Sequence, residues 1–138
     1  VQVKQTLNTS VERVWKAITD ITQMKEWFFD HIEEFKREEG FETAFDVQSG
    51  ERTFRHLWKI TEVVPRKKIT YNWRYGGYPG DSYVTMELEP LEKNHKTHLT
   101  LTHRGIESFP QHITEFTRES CLAGWNYFIK ERLKAYLG

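Results

Sequence analysis

The chain has 138 residues, and its 20 basic and 20 acidic side chains give a formal net charge of zero. That length suits one domain spanning 1–138, able to bury roughly two-thirds of its unfolded surface, and the charge balance removes the strong positive field that non-specific nucleic-acid binding requires. The single cysteine, Cys121, excludes an intrachain disulfide, and no apolar run approaches the roughly 20 residues needed to span a bilayer. No signal-peptide pattern precedes the first apolar–polar alternation, so the expectation is a cytoplasmic chain.

In chain order, residues 1–8 alternate apolar and polar, as a half-buried strand does. Thr9-Ser10-Val11-Glu12 reads as a capping box, with Thr9 as the cap and Glu12 reaching back. Val11, Val14, Trp15 and Ile18 then recur at helical spacing. Asp20 caps a second short helix carrying Ile21, Met24, Trp27 and Phe28.

From about 31 to 104 the period switches to two, which predicts an antiparallel meander with one wet face. Phe41, Thr43, Phe45 and Val47 share a face, as do Phe54, His56, Trp58 and Ile60, and then Ile69, Tyr71, Trp73 and Tyr75. Val84, Met86 and Leu88 point inward with Glu87 and Glu89 outward, and Leu99, Leu101 and His103 face the core. Tyr75 to Asp81 holds three glycines and a proline, so it must be a loop. It reads as a lid over a cavity, a partner-binding patch, or an ordinary hairpin loop with locally packed tyrosines.

Ser108-Phe109-Pro110-Gln111 opens a final amphipathic helix of about 25 residues. Its stripe is Cys121, Leu122, Trp125, Phe128, Ile129, Leu133 and Tyr136. Burying those seven is worth roughly 10–20 kcal/mol as an upper bound, so docking of this helix is essential to folding.

The residues Ser10 to Asp20, Glu26-Trp27-Phe28, Ile60 to Pro65 with Ile69 to Trp73, Leu99 to Gly105, and Gly124-Trp125 carry a family resemblance over nearly the whole chain. The sequence resembles the START-like (SRPBCC) superfamily, whose α+β helix-grip (birch-pollen-allergen-like) fold wraps a curved antiparallel sheet around a long C-terminal helix, with two short helices after the first strand. Within it, the sequence looks like the domains named for the activator of the ninety-kilodalton heat-shock protein ATPase. One departure is a single glycine at Gly40-Phe41, where many relatives carry two. The resemblance implies an apolar cavity between sheet and long helix. It also suggests a chaperone partner, and the superfamily includes cyclase- and hydrolase-type enzymes.

With five Trp, six Tyr and nine Phe, most aromatics are expected to fill the core and the rest to line a pocket. The candidate lining is Trp27, Phe28, Phe45, His56, Trp58, Trp73, Tyr75, Met86, His103, Trp125 and Phe128, which suits a small apolar or aromatic ligand. His56 and His103 would carry proton transfer in an enzyme, but parity gives neither a carboxylate partner. Cys121 reads as a small core hydrophobe with no neighbouring base. His95 and His98 lie at a hairpin tip without enough further ligands for a metal. Arg132 interrupts the apolar stripe, which marks it either as a snorkelling side chain or as a cationic anchor for a carboxylate-bearing ligand at the cavity mouth. No nucleophile elbow, phosphate loop or zinc spacing occurs. The expectation is therefore a ligand-binding module that needs no cofactor, monomeric or homodimeric, with a chaperone-associated domain as the first alternative and a cyclase- or hydrolase-type enzyme as the second.

Overall fold

The computed structural model describes all residues 1–138. Six strands, β1 (Gln2–Leu7), β2 (Glu42–Ser49), β3 (Arg52–Val64), β4 (Lys68–Tyr75), β5 (Ser82–Leu91) and β6 (Lys96–Arg104), form one antiparallel sheet in the order β1-β6-β5-β4-β3-β2. Strands β2 to β6 follow one another as a meander, and β1 returns to pair with β6, Gln2 opposite Thr102 and Leu7 opposite Thr97. The register of β3 against β4 slips between Ile60 and Glu62. A bulge of this kind bends the strand and increases its twist, which helps the sheet to curve. The fold is thus the expected α+β arrangement.

The concave face carries the core. Ile69, Tyr71 and Trp73 of β4, Val84 and Met86 of β5, and Leu99 and Leu101 of β6 are all buried there. The alternation predicted this face correctly. On the opposite face Thr70 and Thr85 are also buried, their hydroxyls 3.0 Å apart.

Helix α1 (Val11–Thr19) begins one residue later than the capping box suggested. Ser10 is the cap, accepting from the Arg13 N–H at 3.3 Å. Thr9 is buried, its carbonyl accepting from the Thr97 hydroxyl. The Glu12 carboxylate instead accepts from the Asn94 amide at 2.8 Å, while Asn94 Oδ1 accepts from the Val11 N–H. A residue on the distant β5–β6 hairpin therefore completes the cap. Helix α2 (Ile21–Trp27) is capped by Asp20 as expected.

Residues 28–41 are irregular rather than the start of the sheet. Ile32 and Phe35 nonetheless reach the core from this stretch, and the period of two starts at Glu42 and not at about 31. The single glycine at Gly40 takes the left-handed turn alone, with φ 89°.

The long helix, α3, runs over 118–137. It is an α-helix at Arg118–Trp125, widens to a π-helix over Asn126–Leu133, and closes with an α turn at Lys134–Leu137. Thr117 caps it, accepting from the Ser120 N–H. Ser108 to Gln111 do not open it. They belong to a segment with short 3-10 turns at Ile106–Ser108 and Thr114–Phe116. There the Gln111 side-chain amide reaches the carbonyls of Ile106, Phe109 and Phe116, each at 3.0 Å. Ser-x-x-Gln resembles a capping box, but this glutamine binds back over its own segment instead.

No helix is long and apolar enough to cross a membrane.

Candidate functional site: a cleft beneath the long helix

A cleft of about 140 Å³ lies between the concave face, α3 and the segment 105–117. Its floor is His56 of β3, Trp73 and Tyr75 of β4, and His103 of β6. One wall is Cys121, Gly124, Trp125 and Phe128, spaced so that one face of α3 presents all four. Gly124 matters by what it lacks: a Cβ there would meet nothing within 4 Å.

The segment 105–117 closes the end of the cleft with Ile106, Phe109 and Phe116. Phe54, Phe109, Ile113 and Phe116 form a second small core, against which Tyr75 and Tyr78 pack. The glycine-rich loop is pinned to this segment. Asp81 N–H donates to Ser108 Oγ at 2.8 Å, the Ser108 hydroxyl lies within reach of the Asp81 and Gly105 carbonyls, and a Cβ at Gly80 would overlap the Phe109 ring. Of the three readings of that loop, the locally packed one describes its tyrosines.

His103 has a fixed proton arrangement. The Ser82 hydroxyl donates to the Trp73 carbonyl at 2.6 Å, so its oxygen accepts from His103 Nε2–H at 2.9 Å. Nδ1 then keeps a lone pair and accepts from the Trp125 indole N–H at 3.1 Å, with Cys121 Sγ 3.4 Å away. Burial pushes His103 down to about 3 and the Cys121 thiol up to about 11. A thiolate–imidazolium pair is disfavoured from both sides, so this pair is a neutral S–H beside a neutral imidazole, without the depressed thiol of a nucleophile.

His56 is neutral for the same reason, pushed down to about 4 by burial. Its Nδ1–H donates to the Phe54 carbonyl at 3.1 Å. Its ring stacks on Phe45 at 5.0 Å and meets Tyr75 edge-on at 4.9 Å. Burial also raises the Tyr75 hydroxyl. Neither histidine bonds to a carboxylate, so the group that would orient and strengthen a general base is missing.

Six of the predicted lining residues meet in the cleft: His56, Trp73, Tyr75, His103, Trp125 and Phe128. Trp27, Phe28, Phe45, Trp58 and Met86 belong instead to the core behind it. Trp27 stacks on Phe28 at 4.8 Å and donates its N–H to the Ala17 carbonyl, and Phe45 meets Trp58 at 4.7 Å. Strand parity selects a face but not the depth at which packing ends, so these looked equivalent to the residues that line the cleft.

Arg132 is exposed and away from the cleft. It donates to the Glu26 carbonyl at 2.7 Å and to the Tyr127 hydroxyl at 3.2 Å. That is a snorkelling arginine satisfying the C-terminal end of α2, not an anchor at the cavity mouth.

Cys121 corrects a second expectation, since it does have an imidazole neighbour. Phe29, Ile106, Phe109, Glu115, Phe116, Ser120 and Gly124 complete the lining and were missed. A helical wheel anchored on Trp125 would have shown Cys121, Gly124 and Phe128 on one face. Nothing local marks Glu115, whose carboxylate accepts from the Ser49 hydroxyl at 3.0 Å.

Comparison with known proteins agrees with the fold. The family model described as Activator of Hsp90 ATPase homolog 1-like protein matches residues 8–138. The human Activator of 90 kDa heat shock protein ATPase homolog 1 is 30% identical over all of this chain, which spans 37% of that relative's length. A crystal structure of a Chromobacterium violaceum protein superposes with TM-score 0.81 at 23% identity, covering 99% of this chain and 95% of that one. That of an HSP90 activator from Plasmodium falciparum gives 0.75 at 22%, covering 100% and 95%. At such identities these structures speak for the fold. The match over 8–138, on a curved six-stranded sheet closed by one long helix, places the chain in the Activator of Hsp90 ATPase homolog 1-like family.

Proposed function

We propose that the chain is a binding module that holds one small apolar or aromatic molecule in the cleft. The observation that carries this reading is the cleft itself: about 140 Å³, lined mainly by aromatic side chains with a few polar groups among them. That composition is usual for small-molecule sites, though the volume is below the roughly 300–1,000 Å³ of drug-sized ones. It is close to the roughly 150 Å³ of an engineered apolar cavity in another protein that takes up benzene. The size therefore suits a single ring or a short branched chain.

Thermal-shift and native mass-spectrometry screens test this. Single-ring compounds at millimolar concentration should raise the melting temperature, and two-ring compounds and fatty acids should not. A protein that stays unliganded and unshifted by every single-ring compound contradicts the reading.

A second reading has its own support, the human relative aligned over the whole chain. On that reading the domain contributes to a chaperone complex. The check is whether it stimulates the ATPase of a purified 90 kDa heat-shock protein, and a rate unchanged at saturating domain removes it.

A further inference from the structure

Two polar groups on adjacent rings of the cleft floor are unsealed and lack a protein partner. The only hydrogen bond of His56 is made by Nδ1, which leaves Nε2 with an unused lone pair. Although the residue is 5% exposed, Nε2 is not sealed off, and His56 lines the cleft. The second is the Tyr75 hydroxyl. It makes no hydrogen bond within the chain, and burial raises it, so it keeps its proton. A protonated phenolic hydroxyl can donate as well as accept. The cleft thus offers one acceptor and one donor on adjacent rings, 4.9 Å between centroids.

Charge narrows the choice. No lysine or arginine lines the cleft, and its one carboxylate, Glu115, is already paired with Arg52 at 3.9 Å, so a carboxylate ligand would enter without a counter-ion of its own. A wholly apolar guest would leave the acceptor and the donor unsatisfied, which is unfavourable for buried groups. A neutral hydroxyl accepts and donates at one atom and matches both groups.

We propose that the cleft selects a neutral, single-ring hydroxyl compound of the phenol class, its O–H donating to His56 Nε2 and its oxygen accepting from the Tyr75 hydroxyl. This rests on the reading of the cleft as a ligand site and names the ligand's chemistry.

The test compares phenol, toluene and benzoate by titration calorimetry or ligand-observed NMR on the 138-residue chain and on Tyr75→Phe and His56→Phe. Each variant removes one polar group and keeps a ring, and toluene binding reports whether its cleft is intact. Forming or losing one such hydrogen bond changes affinity by roughly fivefold to tenfold. The ratio of the toluene Kd to the phenol Kd should fall by about that factor in Tyr75→Phe, and in His56→Phe where that variant folds. Benzoate should bind more weakly than either. A ratio unchanged within about twofold in Tyr75→Phe, with toluene still bound, overturns the hydroxyl assignment and leaves the apolar site standing. Failure of the parent chain to bind both phenol and toluene overturns the ligand-site reading as well.

Discussion

The indole N–H of Trp125 donates to Nδ1 of His103 across 3.1 Å, tying the middle of α3 to the last strand of the sheet. The bond forms only while Nδ1 keeps its lone pair, so it ties helix docking to a neutral imidazole. His56 is likewise neutral in the folded chain.

Stability should therefore depend on pH. Both histidines titrate lower in the folded chain than the ordinary 6.5, at about 4 for His56 and about 3 for His103. Between those values and 6.5 the unfolded chain binds more protons, so stability is fully present above 6.5 and is lost as pH falls toward 4 and then 3. By pH 5 the loss is about 2 kcal/mol for each histidine. Urea denaturation at pH 7.5 and pH 5 measures it. Equal midpoints would contradict the account, and His103→Gln should flatten the dependence.

Cys121 should react slowly. Raising a thiol from 9.0 to about 11 lowers the thiolate fraction at pH 8 about 100-fold, and alkylation follows the thiolate. Iodoacetamide labelling of the folded chain at pH 8 should be slower than labelling in guanidinium by a factor of that order. Comparable rates would show a thiol less buried than this structure places it.

The π-helical stretch decides which residues of α3 are buried. Trp125, Ile129, Leu133 and Leu137 are buried at four-residue steps. An α-helix of 3.6 residues per turn drifts about 40° at each such step, and the wider turn over Asn126–Leu133 offsets that drift. Leu137→Ala should cost about 2 kcal/mol or more. Tyr136→Ala, at a residue 39% exposed, should stay within about 0.5 kcal/mol. Calorimetric or urea unfolding of the two variants distinguishes them, and the reverse order would mean an uninterrupted α-helix.

This also explains what the sequence concealed. On an unbroken α-helix, Arg132 and Tyr136 fall seven and eleven residues beyond Trp125, two and three turns along the same face. That arithmetic put an arginine on an apolar stripe and suggested a ligand anchor. The π turns rotate both to the surface, keep Leu133 inward as the stripe predicted, and bring Leu137 inward in place of Tyr136. No local residue signal announces such a turn, because tertiary packing of four large side chains selects it. Strand parity, by contrast, depends only on a period of two. It held for Ile69 to Tyr75 and for Val84 to Leu88, and it brought His56 and His103 to one face. The segment 105–117 was the least legible part, because the staple made by Gln111 and the Phe109–Phe116 cluster involve contacts that spacing does not encode.

Arg132→Met should lower stability by roughly 0.5–1.5 kcal/mol, the scale of a lost bond to a helix-end carbonyl. It should leave binding of single-ring compounds unchanged. Thermal unfolding and toluene titration of the same sample check both, and a large loss of toluene affinity would put Arg132 back at the site.

The central claim is that the cleft under α3 binds a single-ring molecule, and Gly124 offers the sharpest test. Its missing side chain leaves open space in the cleft wall, so Gly124→Leu should fill the volume a ring would take while improving helix propensity by up to about 1 kcal/mol. The measurement is a toluene titration followed by two-dimensional NMR on both proteins. The account predicts saturable shifts at the Trp73, Tyr75 and Trp125 signals of the parent chain, and none in a folded Gly124→Leu. Shifts confined to other residues, or the same binding in both proteins, would contradict it.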